Sequence, residues 1–162
     1  MDILILVTLG TQDKQFERLL VAVQKAIDEK VINDRVVVQS GFTKFTSNDM
    51  EIFDLIDRDK FSELIAQCDL LITHGGVGSI LTGLKNGKKV IACPRLAKYG
   101  EHINDHQIQI VDNFSSEGYL LKFDENDNLA DIIEKSKSFI PKVFISNNNN
   151  FVKIIENYID NN

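Results

Sequence analysis

The chain alternates short apolar runs with stretches whose apolar residues recur every three or four positions. Residues 3–8, Ile-Leu-Ile-Leu-Val-Thr, have the unbroken apolar pattern of a central parallel strand buried on both faces. The run stops at Leu9-Gly10-Thr11. Phe16, Leu19, Leu20, Val23 and Ile27 then repeat at helical spacing. Residues 35–39 read as a second strand ended by Ser40-Gly41, and residues 42–49 as an irregular polar loop. Residues 50–56 form a weaker third strand, and residues 59–68 a helix with Phe61, Leu64 and Ile65 inward. A fourth strand over 70–72 turns through His74, Gly75 and Gly76 and restarts as a helix over 77–86. Residues 89–93 make a fifth strand closed by Pro94.

The polar stretch 95–105 precedes a helix over 107–113. Residues 118–123 read as a short sixth strand and 128–138 as a helix, with Asp127 as candidate N-cap and Pro141 as its breaker. Four asparagines at 147–150 form a linker or a helix start. Phe151, Ile154, Ile155, Tyr158 and Ile159 then lie on one stripe of a last helix, which either docks on a partner or packs on its own sheet.

Strands alternating with helices predict an α/β fold, a doubly wound, Rossmann-like parallel sheet with right-handed crossovers. No repeat or second domain is visible over residues 1–162. Ligands of such sheets bind beyond the carboxyl ends of the strands, where the strand order reverses. The loops after strands one, four and five (10–12, 74–79 and 95–107) are therefore expected to share one rim. The formal net charge of -6 argues against nucleic-acid binding, which rewards basic stripes that are absent here. The longest apolar run, residues 3–7, is too short to cross a bilayer. Cys68 and Cys93 lie in or beside apolar runs without CxxC spacing and read as buried thiols.

The chemistry concentrates in Thr73-His74-Gly75-Gly76-Val77-Gly78-Ser79. A strand that ends at glycines and restarts as a helix leaves the first helical N–H groups unpaired, and the positive helix end seats phosphate. The bland reading of His74 is a capping or packing residue, and that of Gly10 a strand terminator. Gly76-Val77-Gly78 resembles the start of a dinucleotide fingerprint, but the third glycine position is Leu81, and Pro94-Arg95 stands where an acidic residue belongs. No GK[ST] follows the glycines, and the three histidines lack HExxH spacing. Asp57-Arg58-Asp59-Lys60 reads as a solvated turn with helix-capping acids.

The glycine loop, the stretch Gly87-Lys88-Lys89-Val90-Ile91-Ala92-Cys93-Pro94-Arg95 and the stretch Gly100-Glu101-His102-Ile103-Asn104-Asp105-His106-Gln107 together resemble the glycosyltransferase family 28 C-terminal domain, the nucleotide-sugar half of a GT-B enzyme. Within it the chain looks most similar to small stand-alone catalytic subunits of capsule and exopolysaccharide synthesis. These are relatives of the cytosolic subunit that adds the second GlcNAc to a dolichol-linked acceptor.

The resemblance implies that His74 approaches the donor diphosphate, and that Gly75, Gly76, Gly78 and Ser79 wrap it with backbone N–H groups. It implies that His106 and Gln107 bond sugar hydroxyls and that Gly10 and Thr11 face the interdomain cleft. Arg95 and Glu101 are expected on the same rim. Many relatives carry a ribose-binding glutamate eight residues after the loop histidine, where this chain has Thr82. The implied activity is inverting transfer of a hexose from a UDP-sugar to a lipid-linked glycan, without cofactor or metal. The general base and acceptor site are expected in a membrane-anchored partner that recruits a cytoplasmic chain to the inner membrane face. The alternatives are a non-catalytic nucleotide-sugar-binding subunit, a homodimer that builds the cleft, and an epimerase-like protein.

Overall fold

Strands β1 (Leu4–Thr8) and β4 (Leu70–His74) are buried at every position, and β2 (Arg35–Gln39) and β5 (Lys89–Cys93) at every position but the first. That burial on both faces is why their sequences show no polar alternation. The computed structural model describes residues 3–145. The helix expected near the C-terminus, over 147–162, lies outside the described residues. Two short edge strands, β3 (Glu51–Phe53) and β6 (Leu121–Lys122), complete a parallel sheet of order β3-β2-β1-β4-β5-β6. The fold is the doubly wound, Rossmann-like α/β sheet that the pattern predicts.

Helices α1 (Glu17–Asp28) and α5 (Leu129–Ser138) cover one face, where Val7, Val38, Ile72 and Ile91 cluster with Phe16, Leu20 and Ile133. Helices α2 (Arg58–Gln67), α3 (Val77–Lys85) and α4 (His106–Ser116) cover the other, where Leu6, Val37, Leu71 and Val90 cluster with Ile65, Ile80 and Phe114. Each such side chain contributes ~1.5–3 kcal/mol through removal from water. The strand order reverses between β1 and β4, which pair from Ile5↔Leu70 to Thr8↔Thr73. Their following loops therefore part to opposite faces and open a crevice.

Three expectations shift. Gly118, at φ +85°, does not begin a strand; it ends α4, with Gly118 N–H donating to Ser115 O and Tyr119 N–H to Phe114 O. β6 therefore starts three residues later, at Leu121. The third strand shrinks to Glu51–Phe53, because Ile56 turns away to pack against the α2–α3 core. Asn128, not Asp127, caps α5 by accepting from Ala130 N–H, while Asp127 closes the preceding turn by accepting from Asp124 N–H.

Candidate functional site

Helix α3 starts without a cap. The first bond into its backbone runs from Ile80 N–H to Gly76 O, so the N–H groups of Val77, Gly78 and Ser79 have no helical acceptor. Gly76 occupies the N-cap position and supplies no side chain, and no acid sits in the first turn. Helix α2 differs, since Asp57 accepts from Lys60 N–H at 2.9 Å, as expected for a capping acid. An uncapped helix start combines free donors with the positive dipole end, which suits an anion.

His74 ends β4 with its ring held between glycines. A Cβ on Gly10 would lie 2.6 Å from Nε2, and one on Gly76 would collide with Cε1. A Cβ on Gly75 would meet Gln107 Cβ and Val111 Cγ2, each at 2.9 Å. These three glycines make room for the protein's own side chains. Gly78 differs, because nothing lies within 4 Å of the Cβ position and its missing side chain opens onto solvent. His74 Nε2 sits 3.3 Å from Ser79 Oγ. Burial, with the Arg95 guanidinium second, pushes the His74 imidazole down to about 3, so the ring is neutral at physiological pH.

A cleft of about 480 Å³ lies over this loop, within the range of small-molecule sites. The glycine-loop wall consists of Gly10, Thr11, His74, Gly76, Gly78 and Ser79. Thr8, Gln12, Gln39, Ile56, Arg58 and Phe61 complete its lining. Gln39 is 8% exposed, and its amide has no hydrogen-bond partner among the described residues. Gln12 belongs to the loop after β1 that is expected at the rim, whereas Thr8, Gln39, Ile56, Arg58 and Phe61 are not anticipated there from the sequence. Gln39 carries one signal, its place at the carboxyl end of β2.

Arg95, Glu101 and Gln107, expected on the rim, lie buried beneath it at 1%, 3% and 3% exposure. Arg95 donates to Lys14 O and Glu101 O at 3.0 Å each and to Leu9 O, and its guanidinium sits 4.9 Å over the Phe16 ring. Its Nε has no partner among the described residues. Glu101 receives Arg18 and Leu96 N–H. Gly75 is likewise committed, with its N–H donating to Gln107 Oε1 at 3.0 Å, so it does not present that group to the cleft. Thr82 donates its hydroxyl to Gly78 O at 2.8 Å within α3. His106 opens α4 half-buried, its N–H on Asn104 Oδ1, and does not line the cleft. Arg95 and Glu101 turn inward because the segment entering α1 supplies their partners, Lys14 O, the Phe16 ring and Arg18. Cys93 and Cys68 are buried free thiols, pushed up by burial to about 12 and about 11.

Residues 4–160 match the family model of the glycosyltransferase family 28 C-terminal domain. The chain belongs to this family. No curated protein sequence matches it. The solution structure of ALG13 is similar over 94% of both chains, with TM-score 0.62 and 20% identity. CalG4, the calicheamicin glycosyltransferase, is similar with TM-score 0.61 and 16% identity over 97% of this chain. Arabidopsis thaliana UGT89C1 complexed with UDP follows with TM-score 0.56 and 17% identity over 99%. At these identities the likeness establishes the GT-B half-domain fold. The chain spans 37% of CalG4 and 38% of UGT89C1, but nearly the whole of the ALG13 structure. Among the described residues, no helix is long and apolar enough to cross a membrane.

As a family 28 domain, the chain departs from the expected pattern at Thr82, whose hydroxyl is spent inside its own helix. The glycine loop keeps the expected elements. Behind it, Arg18 pairs with the buried carboxylate of Glu101, while the guanidinium of buried Arg95 bonds only main-chain carbonyls, Glu101 O among them, and so places a positive charge under the cleft. Burial pushes Arg95 down to about 10, still protonated at neutral pH.

Proposed function

We propose that this chain is the donor-binding catalytic subunit of an inverting transferase that moves a hexose (galactose, glucose or N-acetylglucosamine) from a UDP-sugar. The carrying observation is the open N-terminus of α3 inside a nucleotide-sized cleft, with Gly78 leaving space above it. The diphosphate sits on the N–H groups of Val77, Gly78 and Ser79, with His74 and Ser79 at its side. The apolar wall of Ile56 and Phe61 takes the base. One structural neighbour holding UDP and another holding dTDP support a nucleoside-diphosphate ligand. In the reaction, the bond from the anomeric carbon to the diphosphate oxygen breaks as the acceptor hydroxyl attacks from the opposite face. The leaving diphosphate gathers charge, which donors fixed beforehand stabilise most.

No Asp or Glu lines the cleft among the described residues. In this reading the proton acceptor and the lipid-linked glycan acceptor come from a membrane-anchored partner, which holds the chain at the cytoplasmic membrane face in polysaccharide synthesis. The same lack of a cleft carboxylate favours the second reading, a nucleotide-sugar-binding subunit without catalysis. Calorimetric titration of UDP into the chain tests the donor seat. Turnover of a radiolabelled UDP-sugar with and without the co-expressed partner separates the two readings. Absence of UDP binding overturns both.

A further inference from the structure

Gln107 and His74 meet below the glycine loop, one at the start of α4 and the other at the end of β4. Gln107 Oε1 lies 3.0 Å from Gly75 N and 3.0 Å from Arg95 N. Both partners are backbone N–H groups, which donate and never accept. Turning the amide over would set its NH2 against two donors, so the orientation is dictated by its surroundings. The amide nitrogen is thereby aimed at His74 Nδ1, 3.3 Å away. An amide NH2 offers no lone pair, so Nδ1 is the bare acceptor nitrogen of a neutral ring and the ring proton sits on Nε2. Nε2 is the nitrogen that faces Ser79 at the cleft wall.

We propose that Gln107 is a positioning residue that fixes His74 as its Nε2–H tautomer, making the cleft-facing nitrogen a charge-neutral hydrogen-bond donor and not a base. The titratable groups facing the ring are Arg95, just after β5, and His102 in the loop that follows, and both oppose a second proton. Among the described residues, no carboxylate bonds the ring. Three of the four hydrogen-bonding positions of the Gln107 amide are spent inside the protein. Gln107 thus acts on a bound ligand through His74. A neutral donor suits a ligand that is already anionic: it contributes a hydrogen bond throughout the pH range in which an ordinary histidine gains and loses charge.

This assignment deepens the donor-site reading but is tested without a ligand. Long-range proton–nitrogen correlation spectra of the ¹⁵N-labelled full chain report which imidazole nitrogen carries the proton, with His74 assigned by comparison with His74→Asn. The expected result is an Nε2–H pattern for His74 that does not change between about pH 5 and 8, the window in which an unperturbed histidine titrates. Gln107→Glu keeps two acceptor oxygens for the Gly75 and Arg95 N–H groups but removes the donor to Nδ1. In that variant the His74 signature shifts to a protonated Nδ1. An Nδ1–H pattern in the wild type, an average of both tautomers, or a signature unmoved by Gln107→Glu overturns the proposal. The wild-type spectrum alone decides the tautomer if the variant misfolds. Failure of UDP to bind a chain that shows the expected tautomer defeats the donor reading and leaves this assignment standing.

Discussion

Arg18 on α1 and Glu101 in the loop after β5 form a two-point ion pair, with Nε to Oε2 at 3.0 Å and Nη2 to Oε1 at 2.9 Å. The pair fastens the first helix to a loop 83 residues away, and Glu101 Oε1 also accepts Leu96 N–H. Removing one member of a buried pair costs ~3–5 kcal/mol; Arg18 is partly exposed, which lowers the expected loss. Glu101→Gln keeps the shape but leaves the Arg18 guanidinium without its carboxylate. It is expected to destabilise the fold by ~2 kcal/mol, read as a lower urea midpoint at unchanged slope. An unchanged midpoint would show that the pair does not brace the rim.

Gly78 and Gly10 separate ligand space from packing space. Gly78→Ala meets nothing and sits in a helix, where alanine is favoured over glycine by up to ~1 kcal/mol. Stability is expected to hold or rise while UDP affinity falls at least ~10-fold, a loss of ~1.4 kcal/mol by calorimetry. Gly10→Ala, at φ +79° and against the His74 ring, is expected to destabilise the fold itself by ~1–3 kcal/mol. Equal stabilities for the two variants would contradict this division.

Gln39 lines the cleft with an unpartnered amide. A hydrogen bond to a ligand contributes ~0.5–1.5 kcal/mol net, so Gln39→Met is expected to weaken UDP binding ~2–12-fold. The same change removes a buried polar group without a protein partner, so the thermal midpoint is expected not to fall. Full-strength binding in the variant would exclude Gln39 from the ligand's contacts.

His74 couples stability to acidity. Its folded-state value of about 3 lies below the ordinary histidine value of 6.5, so the unfolded chain binds the proton first. The stabilisation is complete above about pH 6.5 and is lost as pH falls toward about 3. One proton taken up on unfolding lowers stability by ~1.4 kcal/mol per pH unit within that window. His102 is also held low, by burial and then by Arg95, so the comparison must be with His74→Asn in an otherwise unchanged chain. Urea titrations between about pH 4 and 7 should give a shallower slope for the variant; parallel slopes would mean that His74 is not buried as a neutral ring.

The sheet is readable from sequence where burial is continuous. β1, β2, β4 and β5 have apolar centres because both faces are covered, while their order in the sheet is visible only in the structure. Edges are harder. Gly118 looks like a strand boundary but is a left-handed helix cap, a difference that depends on φ and not on hydrophobicity. In the site, His74, Gly76, Gly78 and Ser79 are legible because one local turn places them together. Gln39, Ile56, Arg58 and Phe61 enter the cleft through β1–β2 and β2–β3 pairing and the α2 start, which no short motif encodes. Arg95, Glu101 and Gln107 lie in the expected loop region, but the partners that turn Arg95 and Glu101 inward come from the segment entering α1.

All the described residues that line the cleft fall between Thr8 and Ser79, so the later part of the described chain stands behind it. Arg95 and Gln107 bridge the two, one gripping the Leu9 carbonyl and the other the Gly75 amide and the His74 ring. A disturbance felt by β5, β6, α4 or α5 thus has two levers by which to reshape the cleft from the rear.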